Sequence, residues 1–250
     1  MASDALDAGI RALAARLAKK PRITVVTGAG VSAASGIPTF RGPGGMWKTH
    51  RPEDLATPEA FDRDPLLVWE WYAWRRELVA KAQPNRAHEV LAAWSRRYPG
   101  FRLVTQNVDG LHERAGTRNL TRFHGSLWSL SCRDRCAGAP EEWDSPAALR
   151  ELPPRCPHCG GLARPGVVWF GEAIPASALR AAAEAVDCDL FLTVGTSALV
   201  YPAAGLVDAA AARGAWTVEI NPDATPATGG VDQALSGPAE AVLDRVERLL

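Results

Sequence analysis

The sequence lacks an excess of charge of either sign, because 28 Lys and Arg residues balance 28 Asp and Glu residues in a chain of 250. Such a chain has no overall basic character with which to attract nucleic acid or an anionic membrane. It also lacks an apolar run of the roughly 18 residues that a membrane-spanning helix needs, and its N-terminus has no signal-peptide pattern. We therefore expect a cytoplasmic protein with no direct nucleic-acid or membrane partner, and leave its oligomeric state open.

Cysteine is scarce, and four of the five cysteines form two close pairs. In a reducing compartment, such pairs favour a metal site over disulfides. Four thiolates complete the tetrahedral coordination of zinc, so the site should be structural. His158 lies within the second pair and could compete as a ligand, although four sulfurs suffice. The predicted zinc ligands are Cys132, Cys136, Cys156 and Cys159, whereas Cys188 lies among apolar residues and is expected to be buried.

The order of predicted elements favours one α/β domain of doubly wound, Rossmann-like parallel sheet. Strands are expected at 22–26, 101–104, 119–123, 167–172, 190–194 and 216–220. Helices are expected at 3–20, 58–83, 86–97, 175–186 and 202–212, and at the C-terminus. We assign 1–47, 98–125 and 165–250 to the Rossmann-like part, 48–97 to a helical module, and 126–164 to an inserted zinc-binding module.

The first predicted strand runs directly into Gly28-Ala29-Gly30-Val31-Ser32-Ala33. This G-x-G-x-x-A pattern after a strand is typical of a turn that binds a pyrophosphate through backbone N–H groups and a helix N-terminus. A dehydrogenase would continue with a helix, a second strand and an acidic residue for the ribose. The chain instead continues with a Gly- and Pro-rich segment at 35–47, which indicates a lid over a cofactor and makes hydride transfer less favoured.

Polar side chains follow two other predicted strands. Gln106, Asn107 and Asp109 come after the strand at 101–104, and His124 ends the strand at 119–123. Open α/β sheets bind ligands outside the carboxyl ends of their strands, so these residues are candidates for a site, with His124 as a general base. The alternatives are ordinary Asn-x-Asp-Gly turn chemistry and a structural histidine.

The predicted helix at 58–83 is unusually aromatic, with Phe61, Trp69, Trp71, Tyr72 and Trp74 close together. Most of these rings should lie in the core. Tyr72 and Arg75 are three residues apart and share one helix face, which brings a hydroxyl and a guanidinium together. The alternative is a core tyrosine beside a surface arginine.

Several motifs occur together in the order in which one family has them. They are Gly28-Ala29-Gly30-Val31-Ser32, Gly36-Ile37-Pro38 with Phe40-Arg41, Gln106-Asn107-Val108-Asp109, His124-Gly125, the four cysteines, Gly195-Thr196-Ser197 and Asn221-Pro222. From about Arg22 to its C-terminus, the chain resembles the sirtuins, which are NAD-dependent protein deacylases. The resemblance implies a Rossmann-like NAD domain, a zinc module, a helical module, and an acyl-lysine peptide bound as a strand between them.

The resemblance also implies roles for individual residues. The acyl oxygen attacks the ribose carbon as nicotinamide leaves, and a histidine matching His124 deprotonates a ribose hydroxyl. The implied cofactor-binding residues are Gly28, Ala29, Gly30, Ser32, Phe40, Arg41, Trp47, Gln106, Asn107, Val108, Asp109, Gly195, Thr196, Ser197, Asn221, Pro222 and Asp223. The implied substrate-binding residues are Tyr72, Arg75, Val168, Phe170, Gly171 and Val200.

Several features depart from the commonest sirtuin pattern. The first cysteine pair has three intervening residues rather than two, which leaves the geometry of its zinc site less certain. Two other features resemble the class III branch of the sirtuins, which removes succinyl and malonyl groups. They are Thr39 with residues 42–47, and Tyr72 with Arg75. The alternatives are a general NAD-dependent deacetylase, an ADP-ribosyltransferase using the same NAD site, an NAD dehydrogenase, and a non-enzymatic zinc-ribbon protein.

Overall fold

Six parallel strands form the central sheet of the computed structural model, which describes residues 2–39, 51–145 and 148–250. The order across the sheet is β3-β2-β1-β7-β8-β9, so the direction of winding reverses beside β1. These strands are Ile23–Thr27 (β1), Arg102–Thr105 (β2), Leu120–Arg122 (β3), Leu190–Val194 (β7), Trp216–Asn221 (β8) and Gln233–Ser236 (β9). Strands β1 and β7 are buried along their whole length, as expected for central strands of a sheet covered on both faces. The predicted doubly wound fold is confirmed.

Helices cover the sheet and build the neighbouring helical region. They are Ala2–Leu17 (α1), Pro52–Leu55 (α2), Pro58–Arg63 (α3), Pro65–Lys81 (α4), Arg86–Arg97 (α5), Leu111–Arg114 (α6), Ala176–Ala185 (α7), Leu206–Ala211 (α8) and Ala239–Glu247 (α9), with short 3₁₀ helices at Ala29–Ser35 and Ala203–Gly205. Ile10, Leu13 and Leu17, spaced three and four residues apart along α1, are buried on one face of that helix. None of the helices formed by described residues is long and apolar enough to cross a membrane.

A second, antiparallel sheet carries the cysteines. Gly125–Cys132 (β4) lies between Trp143–Asp144 (β5) and Ala163–Val167 (β6). Cys132 is paired in register with Ala163, so the cysteine pairs lie where β4 and β6 meet at one end of the sheet. The segment between the two cysteine pairs includes the short edge strand β5.

Some predicted elements are wrong. Residues 168–172 form no strand, because the Val168 and Phe170 N–H groups donate to the carbonyls of His124 and Ala56 rather than to a sheet. The helix predicted at 58–83 is interrupted at Asp64, whose side chain caps α4. The helix predicted at 3–20 begins at Ala2 and ends at Leu17, and the C-terminal helix ends at Glu247. Most of the aromatic residues at 58–83 are buried, as expected, and Trp74 is the exception among the five, being 46% exposed.

Candidate functional site

A cavity of about 720 Å³ lies along the carboxyl ends of the parallel strands. Residues following β1, β2, β3, β7, β8 and β9 all contribute to its wall, and α4 closes one side. Predicted site residues in this wall are Gly28, Ala29, Gly30, Tyr72, Arg75, Gln106, Asn107, Val108, His124, Val168, Phe170, Gly171, Gly195, Thr196, Ser197, Val200, Asn221, Pro222 and Asp223. Ser32 and Asp109 lie behind the wall, and Phe40, Arg41 and Trp47 fall outside the described residues.

The glycines of the turn after β1 allow two chain segments to approach closely. A Cβ atom on Gly30 would lie 2.8 Å from the Cα of Gly195, and Gly195 itself has a φ of +59°. The N–H groups of Gly28 and Gly30 donate to the carbonyls of Val194 and Gly195, at 3.1 and 2.8 Å. The two glycine N–H groups are therefore occupied within the fold, and the turn leads into a 3₁₀ helix rather than an α-helix.

A directed chain of hydrogen bonds orients the side chain of Asn107. Asp109 is buried, and its two oxygens accept from the Leu111 N–H and the Ser32 hydroxyl, each at 2.8 Å. Since Ser32 donates its proton to Asp109, its oxygen accepts from Asn107 Nδ2 at 3.2 Å. Asn107 Nδ2 also donates to the carbonyl of Gly28, at 3.1 Å. Both amide protons are therefore used, and Oδ1 is the atom that can accept from a ligand.

Two buried histidines border this chain. His88 Nδ1 accepts from the Asn85 N–H and Nε2 approaches Ser32 Oγ, while His112 Nε2 lies 3.0 Å from Thr27 Oγ1. The two rings are 4.8 Å apart. Burial lowers the pKa of His88 to about 4 and the pKa of His112 well below its ordinary value, so both rings are neutral at pH 7. Sequence reasoning did not assign these histidines to the site, because the hydroxyl groups beside their Nε2 atoms belong to residues 56 and 85 positions away along the chain.

His124 has the geometry of a general base. Its Nδ1 lies 3.1 Å from the carbonyl oxygen of Gln106, which can only accept. The Nδ1 atom therefore carries the proton of the neutral ring, and Nε2 has a free lone pair. Burial lowers the pKa of His124, while the bond to Gln106 opposes this shift. His124 lines the cavity and can accept a proton from a group bound there.

The polar residues of neighbouring strand ends are tied to one another. Gln106 Nε2 donates to Thr196 Oγ1 at 3.0 Å, and Asn221 Nδ2 donates to the Thr196 carbonyl at 3.1 Å. The first bond joins the segment after β2 to the segment after β7. The second joins the segment after β7 to the end of β8. The three strand ends thus present one continuous polar edge to the cavity.

Tyr72 and Arg75 lie together in the cavity wall and are 2% and 6% exposed, which rules out a surface arginine. The guanidinium lies 4.7 Å above the ring of Trp71. Burial lowers the pKa of Arg75, an effect opposed in part by the negative charge of Asp109. The Tyr72 hydroxyl accepts from Trp169 Nε1 at 2.9 Å and retains its own proton to donate. These donors converge on one side of the cavity.

The segment after β6 forms the outer wall. Val168, Phe170 and Gly171 line the cavity there, and Val200 lines it from the chain after β7. Glu172 holds this segment by accepting from the Trp169 N–H, at 2.8 Å, and from Arg164. Sequence reasoning missed several apolar lining residues, among them Trp71, Trp169, Ile174, Leu199 and Tyr201.

The four predicted cysteine ligands come together, with every pair of sulfurs within 4.8 Å. The distance from Cys132 Sγ to Cys159 Sγ is 3.8 Å, as is that from Cys136 Sγ to Cys156 Sγ. Sulfurs about 2.3 Å from a tetrahedral zinc lie roughly 3.8 Å apart, so the cluster fits one zinc ion. The longer spacing of the first pair does not prevent clustering. His158 is exposed and stands outside the cluster.

Comparison with known proteins agrees with this geometry. The sequence model of the Sir2 family, the sirtuins, matches residues 28–202, which is more than half of the chain. The chain belongs to the Sir2 family. An NAD-dependent protein deacylase of Aquifex aeolicus is 50% identical over 225 residues, which cover 90% of this chain and 93% of that protein. NAD-dependent protein deacylase 1 of Pseudomonas aeruginosa is 50% identical over 246 residues, covering 96% and 98%.

Solved Sir2 structures share the fold. A mutant Sir2 homologue in complex with ADP-ribose superposes with a TM-score of 0.87 at 46% identity, covering 94% of this chain and 95% of that chain. A Sir2 homologue in complex with NAD superposes with a TM-score of 0.84 at 46% identity, covering 92% and 90%. The cysteine cluster of this Sir2 protein is consistent with one structural zinc.

We predict one zinc ion per chain, bound tightly enough to support the second sheet. Cys156→Ala should lose the metal and lower the thermal midpoint, because the cluster joins the ends of β4 and β6. Metal analysis and thermal unfolding measure both effects. Cys188→Ala, a buried cysteine outside the cluster, is the control and should retain zinc. Zinc-free wild-type protein with unchanged stability would contradict the assignment.

We predict that His124→Ala leaves cofactor affinity nearly unchanged but lowers turnover by about 10²–10⁴-fold, the range of a general base. Single-turnover rates at saturating NAD, with NAD affinity measured by calorimetry, separate the two effects. Near-normal turnover in this variant would show that the histidine is structural.

The environment of His124 determines how activity depends on pH. Because burial lowers the pKa of His124 below its ordinary value of about 6.5, the neutral base should persist below that pH. The acid limb of kcat/KM should therefore have its midpoint below pH 6.5, with activity lost as the pH falls through it. A midpoint above 6.5 in the wild-type profile would contradict this environment for the base.

Proposed function

We propose that this Sir2 protein is an NAD-dependent protein-lysine deacylase that removes succinyl and malonyl groups and, more weakly, acetyl groups. The observation that carries the proposal is that His124, the oriented Asn107 and the Tyr72–Arg75 pair line one cavity with the turn after β1. That cavity has room for a dinucleotide along the strand ends and for an acyl chain beside α4. The names of the similar deacylases and the NAD complex of a similar protein support the NAD-dependent deacylase activity, without bearing on the acyl group.

In the proposed reaction, the acyl-lysine carbonyl oxygen attacks the ribose carbon that bears nicotinamide, and nicotinamide departs. Asn107 Oδ1, fixed by the two donations of its amide group, is placed to accept a hydrogen bond from the cofactor. His124 Nε2 then takes a proton from a ribose hydroxyl, so that the ribose oxygen can attack the acyl carbon. Water completes the release of the lysine peptide and of O-acyl-ADP-ribose.

The preference for acidic acyl groups rests on Tyr72 and Arg75. A guanidinium can donate two parallel hydrogen bonds to a carboxylate, and the Tyr72 proton supplies a third donor. Arg75 is buried, so a carboxylate at the end of the acyl chain would offset part of its desolvation. An acetyl group has no terminal carboxylate, so it cannot supply that negative charge.

A general deacetylase is the second candidate, and one observation favours it. Arg75 already has the charge of buried Asp109 nearby and stacks on Trp71, so it could serve the fold alone. An ADP-ribosyltransferase is less favoured because it would have no need of the Tyr72–Arg75 pair.

Product analysis tests the proposed activity. The protein is incubated with NAD and a succinyl-, malonyl- or acetyl-lysine peptide, and the products are separated by mass. Deacylation by this route gives nicotinamide and O-acyl-ADP-ribose in equal amounts, with free lysine peptide. Free acid with intact NAD would indicate simple hydrolysis, and an ADP-ribosylated peptide would indicate a transferase; either result would reject the proposal.

We predict that Arg75→Met lowers desuccinylation about ten- to a hundredfold, because it removes a charged hydrogen bond from a largely dehydrated site. Deacetylation should be much less affected, since the acetyl group never engages the cation. The ratio of kcat/KM on matched succinyl and acetyl peptides measures the effect.

The neighbouring buried arginine provides the control. Arg76 donates to the Leu127 carbonyl and to Ser145, and it does not line the cavity. Arg76→Met should destabilise the protein without changing the ratio between succinyl and acetyl peptides. Equal losses on both peptides in Arg75→Met would reduce the proposal to a general deacetylase.

A further inference from the structure

Glu219 is a buried carboxylate in the interior of β8, only 3% exposed, and no step described above uses it. Its two oxygens accept hydrogen bonds from the hydroxyls of Thr225 and Thr228, which follow β8. Thr225 lies in the wall of the cavity, whereas Glu219 and Thr228 do not. Glu219 therefore acts on the cavity only indirectly, through the loop after β8 that contains Thr225 and Thr228.

The direction of these hydrogen bonds is fixed. Thr225 Oγ1 accepts from the Ala227 N–H at 3.1 Å, and Thr228 Oγ1 accepts from the Thr225 N–H at 2.7 Å. Each hydroxyl therefore gives its single proton to Glu219, which is an acceptor when ionised. A carboxylate fits both protons, whereas an amide would offer one acceptor and one additional donor.

The loop held in this way forms one end of the cavity. Residues 222–226 line it after β8, while His124 follows β3. In the strand order, β3 is an edge strand and β8 is four strands away from it. If the reacting ribose lies at His124, the loop contacts the far half of a dinucleotide, its adenosine part.

We infer that Glu219 is a positioning residue for the adenosine half of the cofactor, acting by holding residues 222–226 through Thr225 and Thr228. The inference rests on the proposed function, because it takes NAD as the ligand. We call the two hydrogen bonds from Thr225 and Thr228 to Glu219 the Glu219 clamp. Without this clamp residues 222–226 are no longer held in place, so part of the free energy of cofactor binding is used to order them. The chemistry at His124 is unaffected once NAD is bound.

The same strand provides a matched control. Thr217, two residues before Glu219 and on the same face of β8, donates its N–H and hydroxyl to Asp232. Neither Thr217 nor Asp232 lines the cavity. Asp232→Asn therefore weakens a second threonine–carboxylate clamp on β8 without touching the loop at 222–226.

The experiment compares the wild type, Glu219→Gln, Thr228→Val and Asp232→Asn. Calorimetry gives the Kd for ADP-ribose, steady-state kinetics give KM for NAD and kcat, and thermal unfolding reports stability. We expect Glu219→Gln and Thr228→Val to raise both Kd and KM about tenfold, with kcat at saturating NAD within about twofold of wild type. Asp232→Asn should lower the thermal midpoint and leave Kd unchanged. Thr228→Val keeps the test usable if Glu219→Gln folds poorly.

Wild-type affinity for ADP-ribose in Thr228→Val and Glu219→Gln would overturn the inference. An equal loss of affinity in Asp232→Asn would also overturn it, since the effect would then follow general stability. If the wild type itself binds neither ADP-ribose nor NAD, both this inference and the proposed function are rejected. A wild type that binds, beside Glu219 variants that bind equally well, would reject this inference alone.

Discussion

The buried carboxylate of Asp109 is the constraint on which the rest of the site depends. Its oxygens accept from the Leu111 N–H and the Ser32 hydroxyl, and these two bonds determine the donor and acceptor at each following step. Ser32 must then accept from Asn107, and Asn107 retains one acceptor for a ligand. Burial raises the pKa of Asp109, while these hydrogen bonds and the charge of Arg75 oppose that shift. The Arg75 guanidinium and the Asn107 amide are thus linked through one carboxylate.

The antiparallel sheet supports the segment after β2 that contains Val108 and Asp109. The Leu127 N–H donates to the Val108 carbonyl at 2.9 Å, and Trp128 Nε1 donates to the Asp109 carbonyl at 2.6 Å. Both donors are on β4, which begins beside His124 and ends at Cys132. Gly110 has a φ of +78°, and a Cβ there would lie 2.8 Å from Trp128 Nε1. A zinc ion at the Cys132 end of β4 would therefore stabilise the strand that holds residues 108–110 at its other end.

Much of the sheet could be predicted because its central strands are short apolar runs that end in small or polar residues. The run at 167–172 looked the same, but its N–H groups bond to irregular segments, which no local pattern reveals. Strand β9 was missed because only Leu235 of its four residues is buried. The strand ends identified most of the cavity wall. The histidine pair and the Glu219 clamp could not be predicted, since their function depends on partners that only the fold brings into contact.

The central claim is that Asp109 acts on cofactor binding through Asn107. A double-mutant cycle measured as NAD affinity by calorimetry tests it most directly. Asp109→Asn should weaken NAD binding about tenfold or more in the wild-type background, because a donor amide group replaces one of the two oxygens that accept from the Leu111 N–H and the Ser32 hydroxyl. In an Asn107→Ala background the same change should have little further effect, since the oriented amide is already lost. Equal losses in the two backgrounds would show that Asp109 acts independently of Asn107 and would contradict the account.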